Sequence, residues 1–130
     1  MSFVKTKLPT FSVLTTTIII VSFLTGCGLP IDGDKKIYLE DGTLQKTKIY
    51  EDGNISKIQA YFKDGMLEQI KSYKDGALSK VQFYYNDGSL KQMSNYENGT
   101  KSKAQLYLED GTLDQIRFFK DGEYKYTTKP

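Results

Sequence analysis

A stretch of 23 residues that repeats to the end of the chain constrains this sequence more than any other feature. Glu40 to Phe62 (EDGTLQKTKIYEDGNISKIQAYF) is followed by Lys63 to Tyr85, Asn86 to Leu108 and Glu109 to Pro130, all aligned on the same Asp-Gly or Asn-Gly pairs. Self-similarity at a fixed period marks a repeat architecture, in which each unit buries its apolar side chains mainly against its neighbours. The turn glycines fall at 42, 53, 65, 76, 88, 99, 111 and 122, alternately 11 and 12 residues apart, so each unit holds two half-units. Asp-Gly and Asn-Gly supply the positive φ that tight hairpins need, and the residues between them are rich in Ile, Val, Tyr, Phe and Thr. The prediction is an all-β fold: a single antiparallel meander of about nine strands built from 23-residue double-hairpin repeats.

Counting from each turn glycine, the second residue is Leu44, Ile55, Leu67, Leu78, Leu90, Lys101, Leu113 and Tyr124. After the first seven glycines the eighth residue is always aromatic: Tyr50, Tyr61, Tyr73, Tyr84, Tyr96, Tyr107 and Phe119. Both offsets are even, so strand alternation places these side chains on one face, with polar residues such as Lys46, Lys48, Gln69 and Lys71 between them. The expectation is one face with apolar rims and a polar middle. The odd offsets, Ile58-Ala60-Phe62, Val81-Phe83-Tyr85 and Ala104-Leu106-Leu108, are expected to give the other face a more continuous apolar band.

A two-residue turn at Asp52-Gly53 puts Tyr50 opposite Ile55, and the same counting pairs Tyr73 with Leu78 and Phe119 with Tyr124. Keeping Tyr61 opposite Leu67 at the other edge needs a three-residue loop, Lys63-Asp64-Gly65, with glycine in the bulge position. Two turn types are therefore expected, one along each edge. Lys35 to Glu40 reads as a shorter first strand and Glu123 to Thr128 as the last. Lys35, Lys36, Lys125 and Lys129 on these outer strands oppose edge-to-edge association.

Ahead of the repeats, Lys5 and Lys7 precede an uncharged, mostly apolar run from Leu8 to Leu24, closed by Leu24-Thr25-Gly26-Cys27. Basic start, apolar stretch and small-residue cleavage site follow the order of a secretory signal. The four closing residues resemble the lipobox of bacterial lipoproteins. That resemblance implies a signal peptide over 1–26, cleavage before Cys27, diacylglycerol on its sulfur and a fatty acid on its new amino terminus. Several acyl chains give a stable membrane anchor where one does not. Other readings are an uncleaved membrane-spanning segment, for which a run of about 17 is at the short limit, and an ordinary buried cysteine. Residues 27–36 then form the lipidated cysteine and a short tether, and 37–128 the repeat domain. Gly28 rather than Asp after the cysteine resembles the pattern of outer-membrane transport in enterobacterial lipoproteins. The expected location is the bacterial cell envelope, lipid-anchored and extracytoplasmic, in the outer membrane if the host is Gram-negative.

Cys27 is the only cysteine, so no internal disulfide is expected. Removing a signal that holds Lys5 and Lys7 leaves 16 basic against 16 acidic residues, interspersed along the repeats, which gives no footprint for nucleic acid. The chain has no histidine and no tryptophan, which excludes histidine-paired nucleophiles and histidine metal sites. Ser56-Lys57, Ser79-Lys80 and Ser102-Lys103 do not read as serine–lysine dyads, because adjacent strand residues point to opposite faces. They are expected to be solvent-facing.

The turn aspartates (Asp41, Asp52, Asp64, Asp75, Asp87, Asp110 and Asp121) stand about 9.5 Å apart along an edge, whereas calcium needs six to eight oxygens within about 2.6 Å. That separation also lies near the upper end for the two carboxylates of an inverting glycosidase, but identical exposed turn residues supply no acid of raised pKa and no pocket. Turn chemistry accounts for them, and no catalytic residue, metal or cofactor is expected.

The spacing Tyr-x-x-Asp-Gly-x-Leu at Tyr61–Leu67, Tyr84–Leu90 and Tyr107–Leu113, with its 23-residue period, resembles the bacterial variant of MORN repeats over roughly residues 37 to 126. The resemblance implies an antiparallel hairpin array of the kind found in envelope proteins and antitoxins. The chain departs from the standard MORN pattern in lacking tryptophan and the second glycine set, which puts lipid-headgroup binding in doubt. The expected function is a non-enzymatic, lipid-anchored protein-binding or scaffold module of the envelope. The alternatives are an immunity or antitoxin protein that neutralises an envelope-acting toxin, and a purely structural surface lipoprotein. Tyr61, Phe62, Phe83, Tyr84, Tyr85 and Leu106, central in the array, are the expected partner-binding residues. The partners expected are the membrane, through lipid on Cys27, and a protein, a toxin on the immunity reading.

Overall fold

The structure is a computed structural model that describes residues 32–130. The signal over 1–26, Cys27 and the first part of the tether lie outside the described residues.

Among those residues the chain forms nine strands in one antiparallel sheet, ordered as they occur in sequence. They are β1 (Gly33–Tyr38), β2 (Leu44–Glu51), β3 (Asn54–Tyr61), β4 (Leu67–Lys74), β5 (Ala77–Tyr84), β6 (Leu90–Glu97), β7 (Thr100–Tyr107), β8 (Leu113–Lys120) and β9 (Glu123–Thr128). The all-β meander expected from the repeats is what the chain adopts. β1 starts at Gly33, two residues ahead of the first strand expected from Lys35, with Gly33 opposite Tyr50 and Lys35 opposite Lys48. Backbone pairing to a neighbour makes a strand there, where side-chain pattern alone gives little sign of one.

The two edges use two turns. Asp52 and Gly53 both have positive φ, 49° and 74°, as do the corresponding Asp75, Asn98 and Asp121 with their glycines. These are two-residue hairpins whose backbone twist matches that of the strands. At the other edge only the glycine is positive, as at Gly65 (φ 87°). There Gly65 N–H donates to the Phe62 carbonyl at 2.9 Å and Phe62 N–H to the Met66 carbonyl at 2.8 Å, closing a three-residue loop with glycine in the bulge. The rim pairs form as counted: Tyr50–Ile55, Tyr61–Leu67, Tyr73–Leu78 and Phe119–Tyr124 are register partners.

The faces differ from the expectation. One residue beyond each rim pair the register shifts. Ile49 pairs with Lys57 while Tyr50 pairs with Ile55, and Ala60 pairs with Gln69 while Tyr61 pairs with Leu67. Ser56 and Glu68 are left without partners, each the third residue after a turn glycine, and the same shift recurs in every hairpin. These are β-bulges, and an inserted residue reverses the alternation that follows it. Ile55, Ile58 and Ala60 therefore share one face of β3, and Lys57, Gln59 and Tyr61 share the other.

On the next strand the assignment is inverted, since Ile58 pairs with Lys71 and Gln59 with Ile70. Odd and even offsets thus swap sides from strand to strand, and both faces are composites of apolar and polar strips. A front face carries Lys48, Ile58, Lys71, Val81, Ser94, Ala104 and Arg117 as one row of register partners from β2 to β8. A back face carries Thr47, Gln59, Ile70, Gln82, Met93, Gln105 and Ile116 across the same strands.

No second layer covers either face among the described residues. Val81 and Ala104 are the buried hydrophobics, 4 % and 3 % exposed, and Ser94 between them is 1 % exposed; on the back face Thr47 is 3 % exposed. Most remaining strand side chains are half-buried. Stability in such a sheet rests on cross-strand pairs, each worth roughly 0.2–1 kcal/mol, and on backbone ladders rather than on a dry core. At the carboxyl end, Phe118 stacks on Tyr126 at 4.8 Å on the back and Phe119 meets Tyr124 edge-on at 6.1 Å on the front.

Candidate interaction surface

The six expected partner-binding residues separate into three pairs. Phe83 and Leu106 lie on the front, each opposite Gln92 of the strand between them, so they stand two strand spacings apart, about 9.5 Å. Tyr61 and Tyr84 lie on the back rim, opposite Leu67 and Leu90. Phe62 and Tyr85 stand just beyond strand ends, where their N–H groups close the three-residue loops. All six are half-buried. Cys27 lies outside the described residues.

Some of these side chains have structural partners. Tyr85 Oη donates to the Tyr107 carbonyl at 2.9 Å, bracing two consecutive loops of one edge, and the Lys91 ammonium lies 5.3 Å from its ring. Tyr61 Oη donates to Gln59 Oε1 at 3.0 Å and lies 3.4 Å from Thr47 Oγ1. Burial raises the Tyr84 hydroxyl above its ordinary pKa. Phe62, Phe83 and Leu106 present hydrocarbon alone and need no polar partner, and of these Phe83 and Leu106 share the front face.

The bulge serines, expected to face solvent, act in the backbone. Ser79 Oγ donates to the Ser72 carbonyl at 3.0 Å, and Ser56 and Ser102 reach Ile49 and Asn95 at 3.4 Å. A bulge frees a carbonyl from its ladder, and a hydroxyl on the unpaired residue is placed to satisfy it.

The turn aspartates are likewise turn chemistry. In each three-residue loop the aspartate accepts the backbone N–H two residues on: Thr43 at 2.9 Å, Met66 at 3.0 Å, and Ser89 and Thr112 at 2.8 Å. Hydrogen bonds from the Thr43, Ser89 and Thr112 side chains first, then the backbone N–H, hold Asp41, Asp87 and Asp110 below the usual carboxylate pKa. For Asp64 the Met66 N–H is the main cause. Exposed carboxylates already satisfied in this way are poor proton donors.

The distribution of charge departs most from what linear order suggests. Signs are interspersed along the chain, yet in the sheet the cations Lys35, Lys46, Lys48, Lys71, Lys101 and Arg117 occupy front register positions while no Asp or Glu does. The back row runs Ile49, Lys57, Ser72, Lys80, Asn95, Lys103, Phe118, with Asp34 at its start. Carboxylates sit at the turns, on the back, and at the bulge positions Glu68 and Asp114. What the geometry offers is two amphipathic, net-basic faces bordered by acidic turns, with the apolar residues of the front partly recessed.

No curated protein matches this sequence. Among solved structures, the fold is similar to part of an accessory secretory protein complex (proteins 1, 2 and 3) of Streptococcus pneumoniae. The TM-score is 0.52 at 13% identity, covering 68% of this chain and 17% of that one. A GtfA/B complex bound to UDP and GlcNAc is similar with a TM-score of 0.48 at 15% identity, covering 80% of this chain and 25% of that one. The chain thus spans about a quarter or less of either structure. The family model described as MORN repeat variant matches residues 79–98, most of the hairpin of β5 and β6, whose three-residue loop recurs between β1 and β2, β3 and β4, and β7 and β8.

Proposed function

We propose that this chain is a non-enzymatic protein-binding module of the bacterial cell envelope, held at the membrane by lipid on Cys27. The observation that carries the reading is an open single-layer sheet that leaves Ile58, Phe83 and Leu106 half-buried with no covering layer among the described residues. Exposed amphipathic faces of repeat arrays serve as extended binding surfaces. The match to the MORN repeat variant supports the same class. The Leu24-Thr25-Gly26-Cys27 order supports the anchor and an extracytoplasmic location. Satisfied, exposed turn carboxylates in a chain without histidine favour binding over catalysis.

The test is affinity capture with the full chain, tagged at its carboxyl end, from the envelope and secreted fractions of its own host, read by mass spectrometry. One protein recovered in stoichiometric amount supports the module, and a captured protein that is toxic when expressed alone makes this chain its immunity protein. Recovery of cell-wall fragments or nothing favours a structural surface lipoprotein. Mass analysis of the amino-terminal peptide tests the anchor: an acylated Cys27 is expected, and an unmodified thiol on an uncleaved chain contradicts it.

A further inference from the structure

The front face assembles like charges that the fold itself does not neutralise. Lys35 and Lys48 are direct register partners, and Lys46 stands two residues from Lys48 on the same side. Like charges facing each other across a sheet are destabilising. Among the described residues the one ion pair joins Lys125 to Glu123, so Lys35, Lys46, Lys48, Lys71 and Arg117 have no carboxylate partner. Lys46, Lys48, Lys71 and Arg117 are nonetheless half-buried, their stems lying along the sheet.

From β2 to β5 the front row alternates cation and hydrocarbon, Lys48, Ile58, Lys71, Val81, so these two cations stand two strands apart, about 9.5 Å, with an apolar position midway; beyond β5 the row runs Ser94, Ala104, Arg117. An α-helix advances about 5.4 Å per turn, so residues seven apart on one side of a helix are separated by about 10.5 Å. A helix laid across the strands therefore sets a carboxylate beside each of two successive cations and an apolar residue over the strip between. The apolar strip is recessed, with Val81 4 % and Ala104 3 % exposed. A recessed strip receives side chains that protrude from a helix and does not itself insert into an acyl layer.

We propose that the front face from β2 to β5 docks an acidic amphipathic helix of a protein partner, its carboxylates against Lys48 and Lys71 and its apolar side chains against Ile58 and Val81. This rests on the protein-binding reading above and names the chemistry of the partner.

The probe is a fluorescein-labelled peptide of about 21 residues, helical, with glutamate every seventh position, leucine one turn on and neutral residues elsewhere. It is titrated by anisotropy against the full chain in mild detergent. Binding at low salt is expected, weakened roughly tenfold or more by the double variant Lys48→Glu, Lys71→Glu. The back-face double variant Lys57→Glu, Lys80→Glu is expected to stay within about twofold, far-UV circular dichroism showing that both variants keep the sheet. Absence of binding at low salt, equal loss in both variants, or no loss in the front variant overturns the proposal. So does front-face-dependent binding to phosphatidylglycerol vesicles with none to the peptide, which assigns the face to an anionic bilayer. If the captured protein stays bound to the front variant and is lost from the back variant, the binding module stands and the helix site falls.

Discussion

The two faces of this sheet are made by the same rule and filled differently. On each, strips of Ile, Val, Leu or Phe from alternate strands lie beside strips of Lys, Arg or Gln from the strands between, because every bulge exchanges odd and even offsets. The front carries the sheltered row Val81–Ser94–Ala104 and cations without opposing acids. The back carries larger half-buried side chains, Ile70, Met93 and Ile116, and the tyrosine–glutamine pair at Tyr61 and Gln59. Equivalence of backbone with divergence of content shows that the repeat supplies a scaffold, and that recognition lies in which residues fill each strip.

Val81 and Lys80, adjacent in β5 and on opposite faces, separate the two environments most sharply. Val81→Asp places an unpaired charge in the sheltered front row and is expected to cost about 3 kcal/mol or more, while Lys80→Asp stays within about 0.5 kcal/mol. Urea unfolding midpoints measure both, and equal effects would erase the distinction. A smaller loss, about 1 kcal/mol, is expected for Tyr85→Phe, which removes the hydroxyl that braces the Tyr107 carbonyl. Ser79→Ala, which removes the hydroxyl donating to the Ser72 carbonyl at the opposite edge, is expected to cost about 0.5 kcal/mol or slightly more. A gain in stability there would show that the hydroxyl has no role in the bulge.

The pH dependence is the gentlest effect and belongs to one edge. Asp41, Asp64, Asp87 and Asp110 are held below the ordinary carboxylate pKa in the folded chain, so their contribution is fully present above the unfolded value, about 3.9, and is lost as pH falls through the folded values. Unfolding midpoints are therefore expected to be level from about pH 7 to 5 on this account and to decline below about pH 4. The double variant Asp64→Asn, Asp87→Asn should flatten the decline, and an unchanged slope would assign it to other groups.

Much of the fold was legible. Asp-Gly and Asn-Gly at alternating intervals determine strand number, order and both turn types, since only such pairs accept the required φ without strain. Rim pairing followed from turn length. The faces do not follow from strict alternation, because one position in each half-unit breaks it. That position did have a mark: the third residue after each turn glycine is Gln45, Ser56, Glu68, Ser79, Lys91, Ser102, Asp114 or Lys125, polar in every half-unit. A residue without a cross-strand partner gains nothing from being apolar. Charge segregation is hidden for the same reason, since its division between front and turns exists only after the alternation has been reversed. Phe83 and Leu106 emerged together on the front, whereas the hydroxyl of Tyr85 is engaged across the edge by a contact that no local pattern announces.

The bulged register is the claim on which both faces depend, and paired cysteines test it most directly. In a full chain carrying Cys27→Ser, Ile58→Cys with Lys71→Cys joins register partners of one face, within the Cα separation of about 4.4–6.8 Å that a disulfide requires. Rapid oxidation of that pair is predicted, with slow or absent oxidation of Ile58→Cys with Ile70→Cys, whose side chains lie on opposite faces. The reverse preference would mean that the strands pair without the bulge, and the front and back faces as described would not exist.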